Sequence, residues 1–176
     1  MRIIPKPGPD EYPPYCVIYV DLLPDDGLIL SHLRSNFFRI KELIGGLPDK
    51  KLLWRYADNK WTIKEMLVHL VDDERIYCYR ALRYARADDT ELHGFDQDKY
   101  ARISGANERS LDNIFEEYEA LRNATITLFN GLPDDAFMRT GGIDENKNKW
   151  TVRAMVYHIA GHELSHLNLI KEKYLE

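Results

Sequence analysis

The segment Asn59-Lys60-Trp61-Thr62-Ile63-Lys64-Glu65-Met66-Leu67-Val68-His69-Leu70 returns 89 residues later as Asn148-Lys149-Trp150-Thr151-Val152-Arg153-Ala154-Met155-Val156-Tyr157-His158-Ile159. Each copy follows a Gly-Leu-Pro-Asp tetrapeptide, at Gly46 to Asp49 and at Gly131 to Asp134. A chain that repeats a helix, a turn and a second helix must stack like units on one another, because one unit alone cannot bury its apolar face. The reading is two similar αα-hairpins with approximate twofold internal symmetry.

Apolar periodicity supplies the helices. Leu30, Leu33, Phe37, Ile40, Ile44 and Leu47 recur at three and four positions, a helix beginning near Asp25 and ended by Gly45-Gly46. Thr62 and Glu65 form the T-x-x-E capping box that opens a second helix, running to about Arg86. Ser110 caps a third, with the stripe Leu111, Ile114, Phe115, Tyr118, Leu121, Thr125 and Leu128, and Gly131 stops it. The fourth starts at Thr151 and runs almost to the terminus. Residues 87–107 show no sustained period and are expected to be a long crossover. Residues 1–24 hold six of the eight prolines and predict an extended arm draped over a helical domain at 25–176. Four helices without a convincing strand predict an all-α four-helix bundle.

A chain of 176 residues fits one domain at roughly 150 residues each. Twenty-four basic against 29 acidic side chains give a net charge of −5, which disfavours nucleic acid as a partner. Cys16 and Cys78 lack C-x-x-C spacing and suit a reduced, cytoplasmic protein. No apolar run approaches 18 residues and the proline-rich N-terminus lacks an h-region, so neither a membrane span nor a secretory signal is expected. Glycine-rich phosphate loops, G-x-S-x-G elbows and dinucleotide fingerprints are missing from the sequence.

The chemistry is concentrated in histidine. His162 and His166 stand on the same helical stripe as Val152, Met155, Ile159 and Ile170, so both are expected to be buried. Two imidazoles one turn apart can each offer a nitrogen to one zinc-like ion at about 2.0 to 2.1 Å. His158 is too far from His166 to share it, at about 12 Å of helix rise. The repeat points to His69 as third ligand, with Asp73 one turn on as a fourth ligand or an acceptor behind the first. His162-Glu163-Leu164-Ser165-His166 also fits H-E-x-x-H, but only ten residues follow and none is histidine, which weighs against a peptidase. Glu163 and Asp73 are the candidates for the catalytic role of orienting the nucleophile or accepting its proton. Arg80 and Tyr77 are weaker candidates for lining a substrate or cofactor pocket, and a lone histidine or arginine in such a helix is by default a core or surface residue.

Trp61-Thr62 followed by His69, together with Gly161-His162-Glu163-Leu164-Ser165-His166, resembles the DinB superfamily, specifically its DinB-like or YfiT-like metalloenzymes. The resemblance implies a bundle holding a divalent metal (zinc, nickel or iron) on three histidines, carried over onto His69, His162 and His166. It also implies homodimers, a small-molecule substrate, and either transfer of a low-molecular-weight thiol or hydrolysis. The expected function is therefore a metal-dependent enzyme that activates a thiol or water. A non-catalytic module, stabilised or dimerised by a closed metal site, is the alternative.

Overall fold

The computed structural model describes residues 1–141 and 149–175; Asn148 of the second repeat lies outside them. Four long helices carry the architecture: α1 (Ile29–Ile44), α2 (Ile63–Ala85), α3 (Leu111–Gly131) and α4 (Val152–Ile170). The last extends into a π-type turn, Lys171–Leu175. No strand is present among the described residues. No helix among the described residues is long and apolar enough to cross a membrane.

The capping box at α2 is complete: Thr62 accepts from the Glu65 amide at 3.0 Å and Glu65 accepts from the Thr62 amide at 2.7 Å. In the second repeat Ala154 replaces Glu65, and the arm supplies the missing partner. Glu11 accepts the Thr151 amide through its backbone oxygen at 3.0 Å, and its carboxylate takes Thr151 Oγ1 at 2.9 Å and the Arg153 guanidinium. The arm is thereby tied to the start of α4. It has no regular structure up to Pro13, then coils through Pro14–Cys16 and the single α-turn Val17–Val20, burying Ile4, Tyr12, Cys16, Val20 and Leu23. Gly161 on α4 makes this docking possible, because a Cβ there would lie 2.2 Å from the Tyr19 carbonyl oxygen.

Both Gly-Leu-Pro-Asp segments start a short helical turn at their aspartate, Asp49–Leu52 and Asp134–Met138. The crossover, which shows no sustained apolar period, contains the short helix Gln97–Ile103, capped by Asp96 accepting from the Lys99 amide. Its few apolar residues are too sparse to register as a period.

The order of packing departs from side-by-side hairpins. α1 packs on α3 and α4, and α2 packs on α3 and α4, whereas neither α1 with α2 nor α3 with α4 makes comparable contact among the described residues. The two helices of each repeat therefore occupy opposite corners of the bundle. Links rise together along α2 and α3 (Lys64 to Arg109, Arg75 to Glu117, Cys78 to Thr125), so these neighbours run parallel. A parallel connection has to return the chain to its starting end, which is why so long a crossover separates them.

At the centre, Arg122 of α3 reaches all four helices. It donates to Glu74 of α2 at 2.8 Å, to Glu163 of α4 at 2.7 Å and to the Leu33 carbonyl of α1. Tyr118 adds a hydroxyl to Glu163. Such a network holds together only because each buried charge has a partner.

Candidate metal centre

α2 and α4 are antiparallel neighbours, so side chains four residues apart on one meet a ladder with the same spacing on the other. His69, Asp73 and Tyr77 thus face His166, His162 and His158. The Nε2 atoms of His69 and His166 lie 3.3 and 3.0 Å from His162 Nε2. A tetrahedral site with 2.0 to 2.1 Å bonds places its nitrogens about 3.3 Å apart, so these imidazoles already stand close to the edges of such a site. His69 and His162 are buried and His166 is partly so.

Protein hydrogen bonding does not account for this convergence. A neutral ring nitrogen either donates one proton or accepts one, so His162 Nε2 cannot satisfy two neighbours at once. His166 Nδ1 is buried without a hydrogen bond. Burial pushes the His69 imidazole down to about 4, with the repulsion that protonated neighbouring imidazoles would exert adding to it, and lowers His166 well below the usual range for the same reasons. Both rings are therefore neutral at neutral pH, the state in which a nitrogen lone pair is free for a cation. The residues fit a divalent metal.

His162 Nδ1 faces the other way, 3.2 Å from Asp73 Oδ2, and His158 Nε2 approaches the same oxygen at 3.5 Å. Both approaches are close but poorly aligned, leaving that oxygen without a hydrogen bond. Burial works to raise the Asp73 carboxyl, yet His162 and His158 hold it well below the ordinary range. A carboxylate behind a ligating imidazole fixes ring orientation and raises ligand basicity. His158 completes the chain by presenting Nδ1 to Cys16 Sγ at 3.6 Å. That thiol is fully buried and pushed up to about 12 by burial, so it is no nucleophile. Asp73, His158 and His162 form a second group of potential ligands, joined to the first through the two faces of the His162 ring.

The repeat explains the layout. An offset of 89 residues carries Trp61 onto Trp150 and His69 onto His158, and each tryptophan packs on its histidine, at ring-centre distances of 4.7 and 5.5 Å. The same offset carries Asp73 onto His162 and Tyr77 onto His166. The three-imidazole cluster thus has a twin made of His158, Asp73 and Tyr77, in which Asp73 stands for His162 and Tyr77, stacked on His158 at 4.0 Å, stands for His166.

Two cavities of about 210 Å³ flank the ladders. One borders His162, Asp73, Tyr77 and Arg80; the other borders His166 and Trp61. The structure brings six of the seven sequence-derived candidates to the ladder or its cavity: His69, His162, His166, Asp73, Tyr77 and Arg80. Glu163, expected as a general base, stands apart from them. Its carboxylate is buried against Arg122 and Tyr118, and burial raises its pKa against their pull. α4 is buried on nearly all sides, so a step of 100 degrees from His162 leads into the core instead of to the site. His158 also belongs to the ladder, and its place in the repeat opposite His69 is the sequence signal for it.

The lowered histidines set a pH dependence for the metal-free protein. Unfolded imidazole takes its proton near 6.5, whereas folded His69 resists it to about 4, so between those values the unfolded chain binds more protons. Stability is fully present above about pH 6.5 and is lost as pH falls towards 4, by on the order of 3 kcal/mol from His69 alone. Urea unfolding of chelator-treated protein across this window measures it; a flat profile would mean that the rings are solvated.

The profile of the DinB superfamily matches residues 33–170. A protein of Oceanobacillus iheyensis, provisionally named a metal-dependent hydrolase, is 25% identical over 143 residues, covering 81% of each chain. The solved structure of YfiT from Bacillus subtilis superposes with a TM-score of 0.76 at 17% identity, covering 84% of this chain and 85% of that one. YfiT is described, also provisionally, as a metal-dependent hydrolase with an unusual four-helix bundle topology.

Proposed function

Because the chain belongs to the DinB superfamily, we propose that it is a metal-dependent enzyme acting on a small molecule, with the ion held by His69, His162 and His166. One observation carries the reading: His69 Nε2 and His166 Nε2 stand 3.3 and 3.0 Å from His162 Nε2, near tetrahedral edge length, and that one ring nitrogen cannot serve both neighbours. A divalent zinc, nickel or iron ion there supplies Lewis acidity, which makes a water or a low-molecular-weight thiol nucleophilic at neutral pH.

The chain's own residues do the rest. The Asp73 carboxylate, 3.2 Å from His162 Nδ1, electrostatically favours the tautomer that carries its proton on Nδ1 and leaves the Nε2 lone pair facing the cluster. His158 and Cys16 buttress Asp73 from behind. Trp61 covers His69 and stacks parallel to His166 at 6.3 Å, which limits water around the nitrogens. Hydrolysis is the reading favoured by the relatives' names. Thiol transfer uses the same residues with a different nucleophile.

The alternative, a closed metal site that only stabilises the fold, requires a fourth protein ligand. Among the described residues the group around the three Nε2 atoms has no fourth member, since Asp73 meets the opposite face of His162. Cobalt-substituted protein decides between them. Azide or a small thiol is expected to shift the visible spectrum, and the shift is expected to vanish in His166→Ala; a spectrum indifferent to both reagents would establish the closed site.

A further inference from the structure

The cavity beside the twin of the metal cluster has features that metal binding does not use. Its walls come from four separated parts of the chain: Tyr15 and Tyr19 of the arm, Tyr77 and Arg80 of α2, Phe95 of the crossover, and His158 and His162 of α4. Tyr15 and Tyr19 of the arm lie outside residues 33–170, whereas Tyr77, Arg80 and Phe95 lie within them. Tyr19 is held by the notch at Gly161 and packs its ring edge-on against His158 and His162, at 5.3 and 5.2 Å. The aromatic wall and the ligating ring are therefore one packed unit.

Arg80 is the single cationic side chain lining this cavity among the described residues. Its guanidinium lies over the Tyr77 ring at 5.2 Å and donates once, to the His93 carbonyl at 3.0 Å. Unlike Arg83, Arg122 and Arg153, it has no carboxylate partner among the described residues. A guanidinium carries five donors in a planar fork suited to a carboxylate, and here most of them are unused. On α2 it stands seven residues from Asp73 on the same face, about 10 Å along the axis. A molecule anchored at Arg80 and lying along Tyr77 thus extends towards His162.

We propose that this cavity is the substrate chamber and takes a small planar or aromatic carboxylate, gripped at its carboxylate by Arg80 and flanked by Tyr19, Tyr77 and Phe95. This rests on the metal-enzyme reading above for its catalytic meaning, but the grip itself is measured without turnover. Benzoate and its neutral isostere benzamide are titrated calorimetrically into metal-loaded and metal-stripped protein, for the wild type, Arg80→Gln and Arg80→Lys. The wild type is expected to prefer benzoate by roughly tenfold or more in both metal states. Arg80→Gln is expected to abolish that preference and Arg80→Lys to keep part of it. The half-exposed position and single hydrogen bond of Arg80 leave the fold intact in both variants, which thermal melts verify.

Equal binding of the two probes to the wild type, or no binding of either, overturns the proposal. So does a preference that survives Arg80→Gln, or one that disappears when the metal is stripped, because the carboxylate then sits on the ion. Metal content measured on the same preparations separates the two readings. Absence of metal counts against the enzyme, and an Arg80-independent preference counts against the chamber.

Discussion

Arg122→Ala is expected to cost about 3–5 kcal/mol, a fall in Tm of roughly 6–20 °C for a chain of this size. The reason lies in what remains. Glu74 and Glu163 are each 1% exposed and both point at the guanidinium, so its removal strands two carboxylates in a core without water. The Leu33 carbonyl and the Tyr118 hydroxyl lose a partner as well. Replacing the three charges together, with Arg122→Met, Glu74→Leu and Glu163→Leu, is expected to be neutral or stabilising, since the desolvation of all three disappears with them. Thermal melts of both variants test this, and wild-type stability in Arg122→Ala would show that the carboxylates are protonated or wet. Metal content is expected to survive the triple replacement, because Glu163 faces the arginine and not the histidines.

The second large effect is on metal affinity. His162→Ala removes the ring that both other histidines approach and is expected to weaken binding by at least about two to three orders of magnitude. Asp73→Asn leaves the three nitrogens in place but loosens the ring behind them, and roughly 10- to 100-fold is expected. Competition against a chromophoric chelator measures both, with His166→Ala and His158→Ala as the discriminating pair. If His158→Ala released the metal and His166→Ala did not, the ion would reside between Asp73, His158 and His162 instead.

Much of the site was legible because helices impose spacing. His162 and His166 share a stripe with apolar residues, and the duplicated segment named His69 before any contact was known. The capping box at Thr62 and Glu65 was equally plain. Arg122 was missed because a charged side chain reads as a surface residue, although it falls between Tyr118 and Thr125 at the right interval to face the core. Glu163 was misplaced for a related reason: periodicity gives the angle between neighbouring side chains, but not what surrounds a helix buried nearly all round. The diagonal arrangement was not readable at all, since a tetrapeptide turn is compatible with adjacent or opposite corners. The role of Glu11 depends on a contact to Thr151 spanning most of the chain, which no local pattern encodes.

Placing the paired helices of each repeat at opposite corners has a consequence for how the chain can be divided. Every principal helix interface joins one half of the molecule to the other. A severed half keeps two rods with no surface to lean on, and becomes orderly only when a complementary fragment, or another copy of itself, fills the vacant corners. Cooperativity between the halves is thus built into the weave of the bundle.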